Sequence, residues 1–306
     1  MLKFTIRRFL SVIITLLVIS FLTFVLMHLA PGNPFLSEKG LDPDVLEALN
    51  KRYGLDDHLI VQYFNYLKGL VQWDFGVSFK LKGMTVERMI KDGFKPTALV
   101  GFYGCILIVL LGIPLGIISA LKHNKFIDRF SMFISVIGVT IPGFVFATLY
   151  LYVFSAKLGW APPFGVGTFK HYIGPALCIS FFSLAFVTRL TRTSMLEVLQ
   201  QDYIRTARAK GLSNFKVLYK HALRNAVIPV VTYIGPMIAA ILTGSFVIEK
   251  VFAIPGIGSY YTESVSNRDY TLIMGMTMFY AVFLVIAVFI VDILYAVIDP
   301  RIKYEK

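Results

Sequence analysis

Charged side chains are scarce: Lys, Arg, Asp and Glu make up 16% of the 306 residues, against about 25% in an ordinary soluble domain. Together with 57% hydrophobic residues and a mean hydropathy of +0.71, this excludes a solvent-exposed globular fold and makes the chain a polytopic membrane protein. Cysteine is nearly absent. Cys105 and Cys178 lie in separate apolar runs with no Cys or His at ligand spacing, which excludes a disulfide framework or zinc site and leaves them as small core residues. No G-x-x-x-x-G-K-[ST] run occurs, so nothing in the chain can cradle the phosphates of ATP. His28, His58, His123, His171 and His221 are scattered. Without H-E-x-x-H, G-x-S-x-G or a pair of intramembrane acids, a membrane protease or proton relay has no residues to work with, and no catalytic, metal or cofactor site is expected. An inverted repeat of three spans is also missing, which weakens a repeat-built secondary transporter.

The net charge of +12 would suggest nucleic acid in a soluble chain. In a membrane chain the question is where the cations collect. Apolar runs long enough to cross about 30 Å of hydrocarbon fall at residues 9–30, 97–121, 130–156, 172–188, 226–247 and 271–298. The first exceeds a cleavable signal and five more follow, so it reads as an uncleaved helix. Six helices place both termini on one side. With that side cytoplasmic, the inner segments hold 17 of the 30 Lys and Arg, and the short outer loops keep only Lys157, Lys170, Lys250 and Arg268. The other nine lie in a long charge-balanced segment, which translocates regardless of charge. Lipid bilayer is therefore the expected environment and nucleic acid is not an expected partner.

Residues 31–96 have the composition of a small folded cap. Asp42-Pro43 is a helix start closed by Gly54, with Val45, Leu46, Leu49 and Tyr53 on one face. A second amphipathic helix covers 59–71, with Ile60, Tyr63, Phe64, Leu67 and Val71 on one stripe. Trp73, Asp74, Phe75 and Gly76 read as a turn with aromatics at the membrane edge. Within the spans, Gly112 and Gly116 flank Pro114 in a GxxxG pair that serves close packing or lines a path. Breaks are expected at Ile141-Pro142-Gly143 and at Gly235-Pro236, for path-lining or for packing. Asp292 lies near Asp299 and Arg301 at a span end, and Arg189 and Arg192 read as snorkelling residues.

The long basic segment between apolar runs is residues 202–229, DYIRTARAKGLSNFKVLYKHALRNAVIP. Asp202 can cap a short helix over 203–210, rich in small residues at Thr206, Ala207 and Ala209, which Gly211 closes. Ser213 or Asn214 starts a second helix with Phe215, Leu218, Tyr219 and Ala222 inward and Lys216, Lys220 and Arg224 outward. Anionic lipid would account for the charges. A Thr/Ala helix closed by Gly also suits seating in a partner's groove.

At these residues the chain resembles a known family. RTARAKG at 205–211 followed by HALRNAVIP at 221–229 is similar to the cytoplasmic ATPase-docking motif of ABC importer permeases, with Arg205 and Thr206 where the general motif has Glu and Ala, as in the peptide and nickel branch. APGNPF at 30–35, YGLDDHLIVQYFNYL at 53–67, WDFGVSF at 73–79, SMLEVLQQDYIRTARAKGL at 194–212, TGSFVIEKVFAIPGIG at 243–258, NRDYT at 267–271 and VDILYAVIDPRIKY at 291–304 extend the likeness over the whole chain, toward B-type oligopeptide permease subunits. The resemblance implies an all-α membrane protein of the type I ABC importer kind, not itself an enzyme. Residues 1–30 would be the cytoplasmic N-terminus and first span, 31–96 an extracytoplasmic cap, and 97–306 a five-helix core with the docking loop at 197–225. It implies import of oligopeptides into a bacterial cell by alternating access, with dipeptide, nickel or glutathione import as the rival within the family. It also implies a C-type permease partner, two cytoplasmic ATPases that bind the ATP and magnesium, and an extracytoplasmic peptide-binding protein. ATPase docking would fall to Asp202, Tyr203, Arg205, Thr206, Ala207, Ala209, Lys210, Gly211, Leu212 and Phe215. The path or gate would fall to Pro142, Pro236, Pro255, Gly256 and Gly258, with 251–269 as a re-entrant outer gate.

Overall fold

The computed structural model describes residues 2–29, 47, 50–51, 54–81 and 83–298, with side chains described within 5–290. The first cap helix expected from Asp42, the APGNPF and DPRIKY motifs, and the side chains of Asp292, Asp299 and Arg301 lie outside what is described. Twelve labels cover the helices used below: α1 Leu2–Leu29, α2 Leu59–Val71, α3 Val86–Leu121, α4 Phe126–Thr140, α5 Gly143–Lys157, α6 Phe169–Leu199, α7 Asp202–Ala209, α8 Asn214–Ala226, α9 Ile228–Leu242, α10 Phe246–Val251, α11 Ile257–Asn267 and α12 Tyr270–Ile298. The described residues hold no strand beyond one antiparallel bridge, Val77 to Thr85. Four helices (α1, α3, α6 and α12) are long and apolar enough to cross a membrane alone, and the bent pairs α4–α5 and α8–α9 raise the total to six if each is one span.

The chain divides into two compact units, residues 1–95 with 255–296 and residues 96–254. This division cuts across the boundaries read from the sequence, because the last long helix belongs with the first and with the cap.

In the first unit, α2 is held between α1 and α12 by polar contacts. Tyr63 and Ser20 hydroxyls lie 3.0 Å apart, His28 Nε2 lies 3.1 Å from Gln62 Oε1, and the Tyr66 hydroxyl donates to the Met274 carbonyl at 3.2 Å. Burial pushes the Tyr66 phenol well above its ordinary pKa. These contacts select the face of α2. Tyr63, Tyr66 and Leu70 turn inward, whereas Ile60, Phe64 and Val71, expected on the buried stripe, are exposed. Asp269 opens α12 by accepting from Leu272 N and reaches back to the Ser78 hydroxyl and to the amides of Phe79 and Lys80. One carboxylate thus links the WDFGVSF and NRDYT stretches. The turn at 73–76 forms with Trp73 and Gly76 at positive φ, and Asp74 Oδ1 accepts from Gly76 N at 3.0 Å. Phe75 goes to the core rather than to an edge, packed with Val86, Met89, Ile257 and Met276.

In the second unit α6 is the hub, packed against α3, α4, α5 and α9. A methyl placed on Gly116 would lie 2.6 Å from the Thr188 carbonyl oxygen and 2.5 Å from Thr191 Cβ, and one on Gly112 would lie 3.1 Å from Val187 Cγ1. The GxxxG pair therefore serves packing of α3 on α6. Cys105 and Cys178 are free, buried core residues. The helix carrying the second span begins at Val86, earlier than the apolar run, because Thr85 Oγ1 accepts from Arg88 N and starts it in polar sequence.

The expected break at Pro142 forms, and α4 and α5 meet there at 109°. The break expected at Pro236 does not: α9 runs through it. The bend in that pair, 51°, falls between Ala226 and Ile228, where Pro229 stands in the first turn of α9 and cannot donate to the turn before it. Pro236 costs α9 one hydrogen bond, and burial of Gly235, Met237 and Ile241 around it keeps the helix continuous.

Candidate functional site

The basic segment forms a compact surface of two short helices in the second unit. Gln201, not Asp202, occupies the N-cap position of α7, and it makes no side-chain cap bond. Asp202 is the first helical residue, where its charge meets the positive end of the helix dipole. Its Oδ1 lies 3.5 Å from Arg205 Nη1; with both side chains mostly in solvent the pair contributes little. The Thr206 hydroxyl donates back to the Asp202 carbonyl at 3.0 Å.

Ile204 and Ala207, three apart, are buried among Ala120, Met195, Val217, Ala222 and Ala226. Ala207 therefore turns toward its own protein and seats α7; it is not a side chain offered outward. Tyr203, Arg205, Thr206, Ala209 and Lys210 are exposed. The C-terminus closes as a Schellman motif, with Gly211 N bonded to the Arg208 carbonyl at 2.9 Å and Leu212 N to the Ala207 carbonyl at 3.4 Å. Gly211 has φ of +75°, and nothing lies within 4 Å of where its Cβ would be. The glycine is needed for its backbone angle, not for space.

Ser213 starts α8, its hydroxyl accepting from Lys216 N at 3.4 Å. The inward face then departs from the expected one. Residues 217–222 form a π turn, which places Val217 and Ala222, five apart, into the core. The widened turn shifts the phase, leaving Phe215 (68% exposed) and Tyr219 (55%) outside, their rings tilted at 36° with centroids 4.4 Å apart. Asn225 Nδ2 donates to the Tyr203 hydroxyl at 2.8 Å and fixes α7 against α8. Beside them Leu121, Leu199, Arg208, Asn214, Phe215, Val217 and Leu218 line a groove of about 440 Å³. The surface thus presents one aromatic pair among cations, over an apolar floor.

A buried charged cluster, not foreseen from the sequence, lies in the same unit. Asp128, on the first turn of α4 and 2% exposed, accepts from Arg192 Nε and Nη2 at 2.5 and 2.8 Å, from the Ser119 hydroxyl and from Asn124 N. His123 Nδ1 lies 3.2 Å from Arg192 Nη2. Arg192 is therefore not a snorkelling side chain; it joins α6 to the corner between α3 and α4. Only an acid within the otherwise basic run KHNKFIDR at 122–129 could have pointed to it. Arg189 is exposed. Glu249 on α10 is a second buried carboxylate, accepting from the Thr97 hydroxyl at 2.8 Å.

Of the expected gate residues, Pro142 and Pro236 belong to the second unit and Pro255, Gly256 and Gly258 to the first. Pro142 is exposed at the N-cap of α5 and Pro236 on α9. Residues 246–267 fold into α10 and α11 joined by a turn. In the first unit Gly256 and Gly258 are buried and Pro255 is exposed, and a methyl on Gly93 would lie 2.9 Å from Ile257 N.

Residues 112–304 match the model of the binding-protein-dependent transport system inner membrane component, and residues 1–95 match the N-terminal model of such membrane components. The chain is 47% identical over 306 residues to the dipeptide transport system permease protein DppB of Bacillus subtilis, covering 100% of this chain and 99% of that one. It is 43% identical to the oligopeptide transport system permease protein OppB of Salmonella typhimurium, covering 99% and 100%. Among solved structures, a chain of the MetNI methionine ABC transporter superposes with a TM-score of 0.52 at 16% identity, over 69% of this chain and 96% of that one, a likeness of fold. This chain belongs to the binding-protein-dependent transport system inner membrane component family.

Proposed function

We propose that this chain is one of two membrane subunits of an ATP-driven ABC importer of oligopeptides, paired with a C-type permease. Two cytoplasmic ATPases supply the ATP and magnesium sites, and an extracytoplasmic peptide-binding protein delivers the substrate. Both termini and the α7–α8 surface face the cytoplasm of a bacterial cell, in agreement with the distribution of Lys and Arg. The observation that carries the docking role is α7 itself: Ile204 and Ala207 anchor one face, the other is free, and Gly211 ends the helix abruptly.

In this reading the ATPase pair closes on ATP and displaces α7 as a rigid lever. The buried residues of α7 pass the displacement to the ends of α3 and α6, at Ala120 and Met195. Asp128 and Arg192 make that corner move as one piece. Membership in a transport family leaves the chain no chemistry of its own; the work is conformational. A dipeptide importer is the second reading, supported by the 47% identity to a dipeptide permease. Uptake of labelled dipeptides and pentapeptides by proteoliposomes carrying the whole complex separates the two. Uptake of the longer peptides with ATP supports the first reading, uptake confined to dipeptides supports the second, and equal uptake without ATP sinks both.

A further inference from the structure

Apart from the α7–α8 surface, the first unit carries a groove of about 470 Å³ lined by Trp73, Glu87, Ile90, Lys91, Phe94, Lys95, Phe279 and Phe283. Its walls are aromatic. The Phe94 ring meets Phe279 at 5.5 Å and Phe283 at 5.4 Å, both nearly edge to face. Trp73, 58% exposed, is held at positive φ, a rare conformation for so large a residue, by Asp74 N donating to the Gly69 carbonyl and by the edge of Phe75.

The charges at the mouth are unbalanced. Lys91 and Lys95 stand one turn apart on α3, both exposed, and neither forms an ion pair with the described residues. Arg88 on the same helix is matched by Asp92 at 3.8 Å. Glu87, the one carboxylate in the lining, is held by the Phe75 amide and offsets one of the two cations, so the mouth stays net positive. Lys95 is also the last charge before 26 residues without one, 96–121, so the two ammoniums stand where a span meets the headgroup layer.

We infer that this groove binds one anionic phospholipid, its phosphate on Lys91 and Lys95 and one acyl chain along Phe94, Phe279 and Phe283 under Trp73. Two cations against one carboxylate that is already held by a backbone amide leave a net positive mouth, which fits a phosphodiester. The wall offers an acyl chain apolar contact, whereas a peptide segment would bring amides and carbonyls with almost nothing to bond them. The inference requires a membrane but not the substrate or the ATPase partner, so it stands or falls apart from the importer reading.

Trp73 and Trp160 are the two tryptophans of the chain, so Trp160→Phe leaves Trp73 as the sole indole reporter. The full-length variant is placed in nanodiscs of phosphatidylcholine containing brominated-chain phosphatidylglycerol or brominated-chain phosphatidylcholine at matched mole fractions. The expected result is half-quenching of Trp73 at a roughly thirtyfold lower mole fraction of the anionic lipid, the scale of two lysines near one headgroup. Lys91→Gln with Lys95→Gln should abolish the preference, and Lys91→Arg with Lys95→Arg should keep it. Equal quenching by both lipids, quenching by neither, or a preference that survives the double glutamine variant would each overturn the inference.

Discussion

Asp128 and Arg192 give the clearest single-residue test of how the second unit is held. The carboxylate is buried and accepts four hydrogen-bond donors, so replacing Arg192 with Ala strands a charge in the interior. Loss of one partner from such a pair costs about 3 kcal/mol, which should appear as a lowered Tm in detergent. Exchanging the two residues should recover part of it. Gly211 tests backbone angle against space. With φ of +75° and no neighbour near its Cβ, Asn, which tolerates the left-handed region, should retain more ATPase copurification than Ala, and Val should retain least. Equal loss for Ala, Asn and Val would show that the angle is not what matters. Arg205 is exposed and only loosely paired with Asp202, so reversing its charge should leave the fold intact and report on docking alone.

The packing of α3 on α6 depends on the absence of side chains at Gly112 and Gly116. Ala at 116 would place a methyl inside contact distance of Thr188 and Thr191, and overpacking of this kind costs about 1–3 kcal/mol; thermal unfolding measured beside a Gly143→Ala control, whose nearest neighbour is 3.9 Å away, checks it. The elements that could be read from the sequence are those governed by local pattern. The helix at 59–71, the break at Pro142, the glycine stop at 211 and the Ser213 start all follow from residue type and spacing. What could not be read depends on the far side of a contact. The inward face of α2 is chosen by Ser20, His28 and Met274, and the face of α8 by a π turn that no periodicity of 3.6 anticipates. Pro236 alone reads as a break; buried neighbours on α9 keep the helix whole.

At the scale of the whole molecule each unit carries its own polar feature: the first the carboxylate staple at Asp269, the second the basic α7–α8 surface. The helix α7 and its closing glycine were legible in RTARAKG. The anchoring by Ala207 and the exposed pair of Phe215 and Tyr219 were not, because both depend on how α8 packs. The central claim is that the free face of α7 seats an ATPase. Since Cys105 and Cys178 are buried, single cysteines can be introduced at Thr206, Ala209 and Ile204, and at Asn65 on α2, and crosslinked in the assembled complex. The prediction is adducts with the ATPase from 206 and 209, weakened when ATP analogues change the state of the pair, and none from the buried 204 or from 65. Adducts from 65 with none from 206 or 209 would contradict it.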